Sequence, residues 1–309
     1  MPLPEEFHEL AREVRNWGRW GDEDEIGTIN LITDEVRRRA AASVVDGRAL
    51  SLALPLDTVQ GIQTGTLPLR TNPVRTMTMI NTPVMGDPDG FCTSDDSVHM
   101  ALQCATHWDG LGHVSYGGQM WNGYPASAIT EFGATRCGIH NVTSLVSRGV
   151  LLDVARVKGV RRLDPGYAIG PEDLDAAADL AGVTVEPGDV VLVRTGQMEL
   201  LEQGDKAGYG GETAGPGMEA ARWFRRHDVA AVATDNFPFE VFPCERDDAM
   251  LAVHLLHLVD MGMTQGQNWV LDALADDCAD DGRYTFLLSA SPEPFVNAVG
   301  SPVNPVALK

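Results

Sequence analysis

The chain has 309 residues, 44% hydrophobic, 22% charged and 6% aromatic, which is enough apolar matter for a substantial core in ordinary globular proportions. Its formal net charge is −21, from 23 Lys and Arg against 44 Asp and Glu, and no basic stripe is present to neutralise phosphates, so a nucleic-acid partner is not expected. No apolar run approaches the roughly 18 residues of a membrane span, so no membrane partner is expected either.

The opening "MPLPEEFHELAREVRNW" lacks the apolar stretch of a secretory signal. Five cysteines (Cys92, Cys104, Cys137, Cys244 and Cys278) are scattered without the short spacing of a zinc knuckle or a redox pair. Together these features lead us to expect a reducing, cytoplasmic location.

"ITDEVRRRAAASVVDG" reads as a helix, with Thr33 as N-cap, Asp34 and Glu35 at its positive end and Gly47 closing it. "RALSLALPLD" then alternates like a strand. From 58 to 98 the chain is rich in Thr, Pro, Gly and Asp, with β-like pieces such as "RTMTMI"; a long loop there is expected to pack over a site.

Farther on, "GVLLDVA", "GDVVLVRTG", "DVAAVATDN" and "RYTFLLSA" are short apolar runs between breakers, the pattern of buried strands. Interleaved with them are "GPEDLDAAADLAG", with Pro171 in its first turn and Gly182 after its end, and "PGMEAARWFRRHD" and "DDAMLAVHLLHLVDMG", all with helical spacing. The alternation predicts an α/β domain. Several strands end in polar residues (Asp153; Arg194 and Thr195; Thr234, Asp235 and Asn236), where α/β folds usually build sites. No repeat or linker divides the chain, so one domain over 1–309 is expected, with 1–60 packing on it.

The densest chemistry lies in "QCATHWDGLGH", residues 103–113. On a strand, His107 and Asp109 share a face, and imidazole with carboxylate suits zinc or manganese at about 2.0–2.2 Å. His113 follows "GLG", where the chain can turn back, and fits either a ligand or a general base. A third group must come from elsewhere. His254 and His257, three apart on an expected helix, offer one, and Gln265 and Gln267 follow with amide oxygens.

"QCATHWDGLGH" resembles the HxGTHxDxPxH signature of the cyclase superfamily of metal-dependent hydrolases, which includes bacterial kynurenine formamidases and isatin hydrolases. "WGDEDEIGTIN", "YGGQMWNGY", "GDVVLVRTG", "AVATDN" and "GSPVNPVA" extend the likeness, to longer members of that group, over most of the chain. The resemblance implies a swivelling β/β/α-type fold with a mixed sheet flanked by helices, in homodimers or homotetramers.

It also implies that His107, Asp109 and His254 ligate a metal and that His113 acts in catalysis. Two positions depart from the signature: its first His is Gln103 here, and its late Glu is Gln267. Neutral amides in place of strong ligands lead us to expect one divalent ion at most, zinc or manganese, with His99 or Cys104 as substitutes for the missing donor. The implied activity is hydrolysis of C–N bonds in a cyclic amide, imide or formamide, or of a lactone or other ester. Trp17, Trp20, Trp108 and Phe237 are the candidates to line the small-molecule pocket. Two alternatives stand beside this reading: a metal-free lyase, dehydratase or cyclase working through His113 and Asp109, and a non-catalytic binding protein on the same scaffold.

Overall fold

A computed structural model describes residues 2–65, 67 and 70–309. Nine strands form one mixed sheet. In chain order they are β1 (Ala49–Ser51), β2 (His107–Asp109), β3 (Val146–Asp153), β4 (Val190–Arg194), β5 (Ala231–Thr234), β6 (Thr264–Gln267), β7 (Thr285–Ser289), β8 (Gly300–Pro302) and β9 (Val306–Leu308). Across the sheet the order is β1-β9-β7-β3-β4-β5-β6-β2-β8. The four central strands β3 to β6 run parallel, and every pairing outside them is antiparallel.

Helices α1 (Glu5–Val14), α2 (Asp34–Ala42), α3 (Pro171–Ala181), α4 (Ala220–Arg226) and α5 (Asp272–Asp281) flank this sheet. The parallel strands read as continuous apolar runs because both their faces are covered. Val150, Leu152, Val191, Val193 and Val232 meet Phe7, Leu10, Leu174 and Phe224 on one side. On the other, Leu151, Val190, Leu192, Ala231 and Ala233 meet Trp269, Leu274 and Phe286. Each such side chain, fully withdrawn from water, contributes roughly 1.5–3 kcal/mol.

The expected strands fall where the apolar runs placed them, and α3 begins at Pro171 and ends at Gly182 in the left-handed conformation. Three elements differ. α2 stops at Ala42 rather than at Gly47, because the Asp46 and Gly47 amides both donate to the Lys309 carbonyl and turn the chain into β1. "RALSLALPLD" contributes only Ala49–Ser51 to the sheet, since Pro55 cannot extend a hydrogen-bonded ladder. "DDAMLAVHLLHLVDMG" is a helical turn, Ala252–His254, that widens into a π-helix over Leu255–Met261.

The expected loop from 58 to 98 includes a two-stranded ribbon, Val74–Pro83 against Cys92–His99, exposed along both strands. No helix among the described residues is long and apolar enough to cross a membrane.

Candidate functional site

The site is assembled on β2, a three-residue strand between β6 and β8. Register decides which side chains share its face. Asp109 lies opposite Gln265 on β6 and Gly300 on β8, and His107 lies opposite Gln267 and Pro302. Directly paired residues project to the same side, so His107, Asp109, Gln265 and Gln267 converge. Trp108 points the other way. It is wholly buried, donates its indole N–H to the Ala290 carbonyl and meets Trp269 edge-on at 4.8 Å. The expectation that Trp108 lines the pocket is therefore corrected: alternation along the strand sends it into the core.

His107 and Asp109 have no exposed side-chain surface. The His107 ring donates its Nδ1–H to the Ala105 carbonyl at 2.7 Å, which leaves Nε2 as a bare acceptor 3.4 Å from Asp109 Oδ1. Neither Nε2 nor Oδ1 has a hydrogen-bond partner, although both are buried. His113 returns to the same oxygen, its Nε2 3.6 Å from Oδ1, and at 20% exposure its side chain is the most open to solvent of the group. Burial outweighs the attraction of Asp109 and lowers the His113 pKa, so its imidazole is neutral. Burial pushes the Asp109 carboxyl upward, but His113, His107 and His254 overcome this and hold it far below the usual carboxylate range.

His254 enters from the late helix. Its Nδ1–H donates to Glu240 Oε1 at 2.6 Å, and the same carboxylate accepts the backbone N–H groups of Val253 and His254. This leaves His254 Nε2 facing Asp109 Oδ2 at 3.8 Å. Burial alone would lower the His254 pKa; Glu240 and Asp109 reverse that and raise it. His257 does not join. Its ring sits between the edges of Phe224 and Phe239, and burial, with His254 adding to it, takes its pKa down to about 3.

The amides occupy the remaining space. Gln267 donates its side-chain N–H to Asp109 Oδ2 at 2.6 Å and lies 3.2 Å from His254 Nε2, so it fills the gap between them. Gln103 covers Gly300, where an added Cβ would lie 2.6 Å from its amide nitrogen, and this places it beside Asp109. Of the two substitutes, His99 ends the exposed ribbon strand opposite Val74, away from the cluster, and the Cys104 thiol is buried with its pKa pushed up to about 11.

A tetrahedral ion with bonds of about 2.0–2.2 Å needs donors about 3.3–3.6 Å apart. His107 Nε2, Asp109 Oδ1 and His113 Nε2 approach that spacing, and the two unpartnered buried atoms are of ligand type. Among the described residues no group of three His, Cys, Asp or Glu side chains closes on a cation as it stands. The Gln267 amide stands where His254 and Asp109 would otherwise share one. Turning that amide end over would aim its oxygen at Asp109, an arrangement that only a cation between them favours. The donors thus fit one ion, with Gln267 reorienting.

Trp17 and Trp20 pack in a partly buried cluster with Leu111 and Val114, on either side of His113 in sequence. The Trp17 indole donates to the Val259 carbonyl at 2.6 Å. Phe237 is packed against Tyr209 and Ile62 in a separate cluster.

Sequence reasoning missed Glu240. It lies in "FPFEVF", a stretch with no periodicity, and only the fold carries it to His254.

A family model described as "Putative cyclase" matches residues 41–241. Among solved structures, a crystal structure described as a novel cyclase is 38% identical, superposes with a TM-score of 0.86, and the match covers 96% of this chain and 99% of that one. Isatin hydrolase A from Labrenzia aggregata, bound to benzyl benzoate, is 18% identical with a TM-score of 0.64, covering 87% of this chain and 94% of that one. A predicted metal-dependent hydrolase from Bacillus stearothermophilus is 15% identical with a TM-score of 0.53, covering 85% and 98%. No curated protein sequence matches the chain. The extent of the family match and the near-complete overlap with the novel cyclase agree with the mixed sheet and the 103–113 segment: the chain belongs to the cyclase family.

Proposed function

We propose that this chain is a metal-dependent hydrolase of a small amide, imide, lactone or related cyclic compound. One observation carries the reading: two buried, unpartnered donor atoms, His107 Nε2 and Asp109 Oδ1, lie 3.4 Å apart with the neutral His113 ring against the same carboxylate. The isatin hydrolases and the predicted metal-dependent hydrolase that share the fold are consistent with it.

His107, Asp109 and His254 would hold one zinc or manganese ion, with the Gln103 and Gln267 amides as further donors. When bound, such an ion supplies Lewis acidity, polarising a carbonyl and acidifying water. His113 is the proton carrier. Its lowered pKa leaves one ring nitrogen free to accept a proton from water lying against Asp109 and to deliver it to the departing nitrogen or oxygen. Trp17, Trp20 and Phe237 supply apolar walls for the substrate, and the working unit is a homodimer or homotetramer.

The test is a set of three variants assayed for divalent metal by elemental analysis and for turnover on a panel of lactones, imides and formamides. His107→Ala and Asp109→Ala are expected to lose both metal and activity, whereas His113→Ala keeps its metal and loses activity by about 10²–10⁴-fold. Full-rate hydrolysis by the Asp109 variant would refute the scheme.

A second reading is favoured by the position of Gln267, whose N–H already satisfies Asp109 Oδ2 without a cation. It makes the protein a metal-free lyase, dehydratase or cyclase that uses His113 and Asp109 for acid–base chemistry. Turnover that survives exhaustive chelation selects it.

A further inference from the structure

The sheet orders β2 only from His107 onward, where that residue pairs with Gln267 and Pro302. The Ala105 carbonyl therefore lies outside the ladder. Yet it accepts the His107 Nδ1–H at 2.7 Å, so its direction decides where the other ring nitrogen points. Asn268, the first residue after β6, supplies the missing hold. Its side-chain N–H donates to the Ala105 carbonyl at 3.1 Å, and its own backbone carbonyl accepts the Thr106 hydroxyl. It thus grips both residues that precede His107. Its backbone N–H is tied in turn to the Asn236 carbonyl at 3.0 Å.

The donors and acceptors leave one arrangement. A carbonyl only accepts, so Asn268 must turn its NH2 group to Ala105 and its Oδ1 away from it. There the Tyr209 hydroxyl donates to Oδ1 at 2.8 Å. Burial raises the Tyr209 pKa well above its ordinary value and keeps that proton in place. The same logic applies to the ring: facing a carbonyl, Nδ1 of His107 carries the hydrogen and Nε2 is left without one. Asn268 is fully buried at a φ of +61°, a left-handed conformation that glycine and asparagine adopt more readily than other residues.

We propose that Asn268, backed by Tyr209, is a positioning residue of the candidate metal centre: it holds the Ala105 carbonyl in the direction that sets the His107 tautomer and aims Nε2 at Asp109. The proposal deepens the hydrolase reading and rests on it for the use made of Nε2, but the tautomer can be tested without it.

The test takes two readouts on the purified full-length protein. Nitrogen-15 spectra of labelled histidine, in mildly alkaline buffer without added divalent ion, report which ring nitrogen is protonated; the His107 signals are those missing from His107→Ala. Competition with a chelating dye gives the affinity for zinc. The wild type is expected to show His107 protonated on Nδ1 alone. Asn268→Gly, which suits the left-handed backbone, is expected to mix the two tautomers and to weaken zinc binding about 10–100-fold. Tyr209→Phe is expected to do the same more weakly, since the Asn268 amide can then turn over. The double variant is expected to be no worse than Asn268→Gly, because Tyr209 acts through Asn268, whereas two independent packing losses would add. His107 protonated on Nε2 in the wild type overturns the proposal, as do an unchanged tautomer in both single variants or additive losses in the double. Should Asn268→Gly not fold, the spectrum of Tyr209→Phe decides. A wild type that binds neither zinc nor manganese sinks the hydrolase reading, and the histidine spectra still decide this one.

Discussion

Glu240 serves His254 as the Ala105 carbonyl serves His107: each accepts the Nδ1–H hydrogen bond and thereby turns Nε2 toward Asp109. The two holds differ in strength. A backbone carbonyl cannot leave, whereas Glu240 is a charged side chain that also bonds the first amides of the late helix, so removing it frees the ring and the helix start together. Glu240→Ala is accordingly expected to weaken divalent-ion binding by about 10–100-fold, measured by competition with a chelating dye, while Glu240→Gln keeps part of the affinity. An unchanged affinity in both variants would show that His254 takes no part in holding the ion. At this scale His107, Asp109 and His113 were readable because two-residue spacing on a strand puts side chains on one face. Trp108 was misjudged for want of the same alternation, and Glu240 was illegible because nothing local marks a carboxylate as lying near a distant imidazole.

Between residues and fold stand the elements, and the late helix shows how one can be recognised and still be misdrawn. Apolar spacing over 247–262 identifies a helix, but it does not reveal that the turns widen into a π-helix over Leu255–Met261. Such widenings commonly occur at functional sites, and this one follows immediately after His254 and ends at Gly262, from which the chain enters β6 with Gln265 and Gln267. Gly262 is held at a φ of +65°, and an added Cβ would lie 2.5 Å from the Trp121 ring. A left-handed alanine costs roughly 1–2 kcal/mol and forced overpacking about 1–3 kcal/mol. Gly262→Ala is thus expected to lower stability by roughly 2–5 kcal/mol in urea unfolding and to reduce metal content by shifting the two glutamines. Wild-type stability in this variant would mean that Trp121 moves aside freely and that the junction is not rigid.

At the scale of the whole molecule, the alternation of apolar runs and helices made the α/β class legible, and the family resemblance supplied the mixed sheet. The order of the strands was not readable from pattern. Nothing local says that β2 inserts antiparallel between β6 and β8, or that Asp109 meets a glutamine 156 residues away. The ribbon of Val74–Pro83 and Cys92–His99 was likewise unseen beyond "RTMTMI", and it bears on the proposed homo-oligomer. A two-stranded ribbon alone in water is marginal, yet this one keeps Ile80 68% and Val98 57% exposed, and Phe91, just before its second strand, is 70% exposed. Exposed apolar side chains on one element favour burial against another surface. A second copy of the chain is always present at matching concentration, and a stable interface of about 1,600 Å² can draw on the ribbon together with its surroundings. Sedimentation at micromolar concentration is therefore expected to give a dimer or tetramer, and the double replacement Ile80→Asp with Phe91→Asp to shift it to monomer with an unchanged far-ultraviolet circular dichroism spectrum. A wild-type chain that sediments as a monomer, or a double variant that keeps its oligomeric state, would separate the ribbon from assembly and leave its exposed side chains without that explanation.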